Sequence, residues 1–168
     1  MTDTSTRVDP PFDGGQLEQT SAFLDFLRGT IALKSAGLSE QDAHRPVLPS
    51  PLMTVAGLLS HLRWVEAYWF DVVLAGNPDR APYNAEHPDG EFEIAAELTL
   101  DQLLADYAEQ CERSRVIAAG LGLDDTVAFR GDKRLNLRWV LLHMIEETGR
   151  HAGHLDVIRE LLDGTTGE

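Results

Sequence analysis

Two polar interruptions of apolar helical stripes carry the chemistry of this sequence. The first is His61, in the run Leu58, His61, Val65, Tyr68, Val72, where every other position is apolar or amphipathic. The second is Glu147 with His151, in the run Val140, Met144, Glu147, His151, Leu155, Ile158, Leu162. A helix turns about 100° per residue, so residues four apart lie about 40° apart on one face. Glu147 and His151 therefore point the same way, one turn apart. An ionised carboxylate in an apolar core costs on the order of several kcal/mol unless something pairs with it. A divalent cation is a strong compensator. One carboxylate with two imidazoles is a ligand set for zinc, nickel, cobalt or iron, and three-ligand zinc sites leave a position for water or substrate.

Plainer readings compete. A lone stripe histidine is often an ordinary core or groove residue, and a Glu–His pair at i,i+4 also occurs on wet helix faces. The coincidence of both interruptions, on separate helices, is what favours a metal. The same edge of the last helix also offers His143, one turn before Glu147, and His154, just after His151. Each of these can replace a ligand, stand beside one, or cap polar groups at the mouth of the site. His44 and His87 fall in connectors and read as solvated. Cys111 lies on an inward stripe and reads as a small buried hydrophobe, not a nucleophile. Trp64, Trp69 and Trp139 read as packing residues or a dimer face, and Glu146 as a surface residue. Arg130, Lys133 and Arg134 read as a solvated loop, with reception of an anionic substrate as the alternative. A di-iron centre is disfavoured, because Glu-x-x-His is needed on two helices and occurs on none.

Four long helices must position these groups. The first spans about Gln16 to Ser35, with an Asp13–Gln16 capping box and a stripe of Leu17, Leu24, Leu27 and Ile31 widened by Phe23 and Phe26. A short turn at Leu38 to Ala43 and a proline-rich connector lead to the second. That helix starts near Ser50-Pro51 or Thr54 and stops at Gly76-Asn77-Pro78. A polar crossover, Asn77 to Leu98, follows over one end of the bundle, with room for short local structure and of a length that functional loops and lids often have. The third helix runs from Leu100 to about Ala119 behind a Thr99–Gln102 capping box, along Leu100, Leu103, Leu104, Tyr107, Cys111, Ser114 and Ala118. After the connector Leu123 to Leu135, the fourth runs from Asn136 to Asp163 and stops at Gly164. No repeat and no convincing strand is expected. The fold class that follows is all-α, a four-helix bundle with a long crossover between helices two and three. Residues 1–15 read as a disordered or irregular arm, and 16–164 as one domain.

The totals exclude some partners. The 168 residues carry 28 acids against 14 Lys and Arg, a formal charge of −14, which argues against a nucleic-acid partner. The single cysteine excludes an intrachain disulfide and the CxxC motifs, and fits a reducing, cytoplasmic setting. The polar N-terminus lacks the apolar core of a secretory signal, and no apolar run reaches membrane-spanning length.

Beyond the residues themselves, the segments Leu58-Leu59-Ser60-His61-Leu62-Arg63-Trp64-Val65-Glu66 with Tyr68-Trp69-Phe70, Asn136-Leu137-Arg138-Trp139, and His143-Met144-Ile145-Glu146-Glu147-Thr148-Gly149-Arg150-His151-Ala152-Gly153-His154 resemble the DinB/YfiT-like superfamily of metal-binding four-helix bundles. They are most similar to its actinobacterial members related to mycothiol-dependent enzymes. The resemblance implies one ligand at His61 and two more on the last helix. Here these would be Glu147, in place of the first histidine of the superfamily's common His-x-x-x-His pair, and His151, a set of two histidines and a glutamate similar to that of mycothiol-dependent maleylpyruvate isomerase. It places His154 beside the metal's ligands and outside its coordination sphere, and His143 is read in the same position. It implies zinc, or another divalent metal such as nickel, cobalt or iron, binding a low-molecular-weight thiol such as mycothiol and lowering its pKa for attack on a small electrophile. The isomerase carries a further C-terminal domain at its substrate site, whereas this sequence ends at Glu168. The expectation is therefore a thiol S-transferase. A metal-dependent hydrolase and a non-catalytic dimeric bundle with a vestigial site are the alternatives. Homodimerisation is expected from the aromatic second helix and the family habit.

Overall fold

The computed structural model describes residues 7–167. Residues 1–6 of the expected arm lie outside the described residues. The fold is mainly α, with elements α1 Gln16–Ser35, α2 Glu40–Ala43, α3 Val55–Glu66, α4 Gly90–Glu93, α5 Leu100–Ala119 and α6 Leu137–Asp163. A π-helical segment, Ala67–Leu74, continues α3, and a 3₁₀ turn, Ile94–Glu97, continues α4. The long helices pack as α1 on α6 and α3 on α5, with α3 also meeting α6. Among the described residues no helix is long and apolar enough to cross a membrane.

Local chemistry sets most of the boundaries. Thr54 caps α3 by accepting from Gly57 N, and Asn136 caps α6 by accepting from Trp139 N. The Thr99–Gln102 capping box opens α5 as its sequence implies. Gly164, at φ 78°, ends α6 in the left-handed conformation that glycine adopts without a Cβ penalty.

The sequence expectation fails at three places. The Asp13–Gln16 box does not form: Gly15 is the N-cap and makes no side-chain cap, while Gln16 Oε1 accepts from Arg138 on α6. The connector before α6 holds an antiparallel hairpin, β1 Thr126–Phe129 with β2 Lys133–Asn136, where no strand was expected. Its turn needs positive φ at Arg130 (44°) and Gly131 (72°). Four-residue strands broken by charge are too short for a period-two pattern to stand out. The crossover holds the short local structure its sequence allows, α4 and the 3₁₀ turn, and both pack onto α3. His44 is tied down too, with Nδ1 2.9 Å from the Glu40 carbonyl and Nε2 3.1 Å from that of Ala95.

The buried side chains form two apolar clusters. One gathers Ile31, Leu59, Leu62, Leu103, Tyr107, Leu155 and Ile158; the other Leu24, Phe70, Leu137, Val140 and Met144. On each long helix a residue between the two clusters is polar and buried: Arg28, Glu66, Ser114 and Thr148. Arg28 and Glu66 pair across this layer, with Nε–Oε1 at 2.7 Å and Nη2–Oε2 at 2.6 Å.

Candidate metal centre

His61 comes from α3, Glu147 and His151 from α6, and the packing of those two helices brings all three together. One ligand atom from each lies within 4.8 Å of the others. Glu147 Oε1 is the shared point, 3.4 Å from His61 Nε2 and 3.2 Å from His151 Nε2. The imidazole rings meet edge-on, 4.9 Å between centroids at 73°. Side-chain exposures are only 16%, 12% and 9% for His61, Glu147 and His151. The site is therefore recessed but not sealed.

Each of the three has a second partner on its outer side. His61 Nδ1 donates to Glu91 Oε2 at 2.9 Å. Glu147 Oε2 accepts from Arg150 Nη1 at 3.0 Å. His151 Nδ1 lies 3.2 Å from His154 Nδ1. The outer contacts leave both Nε2 atoms and Oε1 facing one another. An outer partner of this kind fixes the orientation and tautomer of a ligating histidine.

The electrostatics follow from the same contacts. Hydrogen bonds from His151 and then His61 hold the Glu147 carboxyl far below the usual carboxylate range, against the opposing push of burial. Burial pulls the His61 pKa down, but hydrogen bonds to Glu147 and Glu91 outweigh it and the net shift is upward. Burial, then the charges of His151 and Arg150, lower the His154 pKa and favour its neutral form. An anionic oxygen between two imidazole nitrogens is a donor set that suits a single divalent cation of intermediate softness. His61, Glu147 and His151 are the residues that could hold it.

His143 stands elsewhere. It stacks on Trp139 (5.1 Å, 21°) and meets Trp69 edge-on (4.8 Å, 67°), in an aromatic cluster that also includes Tyr68 and Phe129. Glu146 is exposed and pairs with Arg150. Cys111 is buried, and burial pushes its thiol up to about 12, so it is no nucleophile at neutral pH.

A profile of the mycothiol-S-transferase family matches residues 19–164, nearly the whole described chain. The chain belongs to the mycothiol-S-transferase family. No curated protein matches it. Membership points to S-transfer from a low-molecular-weight thiol as the class of reaction. The matched span includes α3, the crossover and α6, and so every residue of the candidate centre.

Two groups at this centre were missed in the sequence. Glu91 and Phe92, on α4, reach His61 from the crossover; the Phe92 ring stacks on the imidazole at 4.4 Å and 11°. A separation of 30 residues through a polar segment leaves no periodic signal for either. Arg28 and Glu66 did leave one. Arg28 continues the Leu24–Ile31 stripe, and Glu66 lies between Leu62 and Phe70 on the deepest face of the second helix. That face is offset from the stripe through Val65 and Val72, which are only half-buried.

Proposed function

We propose that this protein is a divalent-metal-dependent thiol S-transferase of the cytoplasm, in which His61, Glu147 and His151 hold the metal. Zinc is favoured, with nickel, cobalt or iron as alternatives. The thiol is mycothiol or a close analogue, and the acceptor is a small electrophile. The observation that carries the reading is the convergence of Nε2, Oε1 and Nε2, with each donor gripped from outside by a further residue. When bound, the cation would supply Lewis acidity that lowers the thiol pKa toward neutrality.

The chain's own residues do the rest. Glu91 keeps the proton of His61 on Nδ1, which leaves Nε2 free as a donor. His154 Nδ1, 3.2 Å from His151 Nδ1, can accept the proton there and so free His151 Nε2. Arg150 holds Oε2 of Glu147, so that Oε1 faces inward. Phe92 covers one face of His61 and limits water on that side. In the transfer, the thiol proton leaves to solvent and the sulfur lone pair forms a C–S bond. The leaving group departs with the electron pair of the bond that breaks.

In this reading the four long helices form a DinB-type four-helix bundle within one domain, residues 16–164. The protein is a homodimer, supported by Trp139, Leu142, Val157 and Leu161, which are exposed on α6. The test is to incubate the zinc-loaded protein with mycothiol and a bimane electrophile and follow the thioether by mass. Formation that requires both protein and thiol is expected. Consumption of the electrophile to its hydrolysis product, with no thioether, would refute the transferase.

A further inference from the structure

The crossover between the second and third long helices reaches the candidate centre at one residue pair. Glu91 Oε2 accepts from His61 Nδ1 at 2.9 Å, and the Glu91 side chain is itself only 18% exposed. Three further contacts hold the α4 backbone beside His61. Ser60, the neighbour of His61, donates through Oγ to the Glu91 carbonyl at 2.5 Å. Phe92 stacks on the His61 ring. Gly90 is buried so tightly that a Cβ there would lie 1.8 Å from the Pro82 carbonyl oxygen. The crossover therefore folds back on itself at Gly90 and presents Glu91 to the histidine.

Glu91 meets Nδ1, whereas Nε2 faces Glu147 across the ring. It cannot share a metal with His61 bound through Nε2. Its contact instead decides which nitrogen carries the proton. A carboxylate only accepts, so it selects the Nδ1–H form and leaves the Nε2 lone pair for the centre. The Nε2–Glu147 contact is longer, at 3.4 Å, so in the neutral ring, which has one proton to give, the shorter contact to Glu91 decides its place.

We propose that Glu91 is a positioning residue that fixes the His61 tautomer and so couples closure of the crossover over the site to retention of the metal. The proposal rests on His61 being a ligand. Coupling of this kind is reciprocal: if the closed crossover favours the bound metal, the bound metal must favour the closed crossover.

The test uses the full chain as wild type, Glu91→Ala and Glu91→Gln, with far-UV circular dichroism as the fold control. Long-range ¹H–¹⁵N spectra of metal-free protein, above the imidazole titration range, read the His61 tautomer directly. The Nδ1–H form should dominate in wild type, give way to Nε2–H in Glu91→Ala, and return in Glu91→Gln, whose amide oxygen still accepts. Competition with a chelator should show zinc affinity about 10- to 100-fold weaker in Glu91→Ala and largely restored in Glu91→Gln. Zinc should slow amide exchange over residues 90–97 in wild type but not in Glu91→Ala. An unchanged tautomer in Glu91→Ala, or wild-type zinc affinity in that variant, would overturn the proposal and leave the ligand assignment standing. Failure of wild type to take up zinc would instead remove the ligand assignment, and with it the metal coupling. The metal-free spectra would still decide whether Glu91 sets the tautomer.

Discussion

Arg28 grips Glu66 through two hydrogen bonds of 2.7 and 2.6 Å, and both side chains are buried. The pair joins α1 to α3 inside a layer that also contains Ser114 of α5 and Thr148 of α6. Desolvating both ions costs much of what their attraction returns, so the pair specifies register more than it adds stability.

Glu66→Gln should therefore destabilise the protein by about 1.5–3 kcal/mol, because it leaves the buried Arg28 guanidinium balanced only by the partly exposed Asp25 carboxylate, 2.9 Å from Nη1. The double replacement Arg28→Met with Glu66→Leu should cost less than the two single changes summed. Urea melts of the four proteins close the cycle. Additive losses would mean that the two residues act independently.

His151→Ala, and likewise His61→Ala, should abolish stoichiometric zinc while leaving the far-UV spectrum essentially unchanged. Each removes one donor from a set of three and leaves the cores on either side intact. Metal analysis of the purified variants checks this. Full zinc content in His151→Ala would exclude it as a ligand.

Gly90→Ala should weaken zinc binding without touching a ligand. The added methyl collides with the Pro82 carbonyl, a backbone atom that cannot step aside without shifting the crossover. The expected stability loss is about 1–3 kcal/mol. Calorimetric titration beside a thermal melt separates the two effects. Wild-type affinity would show that the crossover can shift without disturbing His61.

Asp71, on the π-helical segment, supplies a pH dependence. Burial pushes its pKa up, but hydrogen bonds from Arg113 (2.8 Å) and Gln110 (2.7 Å) outweigh it, so the folded value lies below the ordinary one. A depressed carboxylate stabilises the fold fully above its unfolded pKa of about 4, and that contribution is lost as pH falls through the folded value. Asp71→Asn should cost about 1–3 kcal/mol at pH 7. The gap to wild type should narrow as pH falls below about 4. Melting temperatures across that range test it, and a constant gap would contradict the assignment.

The exposed apolar residues of α6 predict a dimer that separates on charge insertion. Light scattering should give twice the chain mass for wild type and the chain mass for Leu142→Glu. A concentration-independent monomer for wild type would remove the dimer.

By itself the sequence determined the helices and most of their ends. Their signals are local: Thr54, Thr99 and Asn136 cap from within one turn, and Gly164 stops α6 because only its own φ matters. It also determined which polar residues break the apolar stripes, since His61, Glu147 and His151 stand where periodicity demands apolar side chains. Tertiary structure alone decided what meets those residues. Glu91 and Phe92 reach His61 only because the crossover doubles back at Gly90, and Gln16 turned to Arg138 once α1 had packed on α6. Such contacts join residues far apart in the chain, where spacing carries no angular information. The energy that selects them comes from packing and desolvation, which exist only once the helices have met.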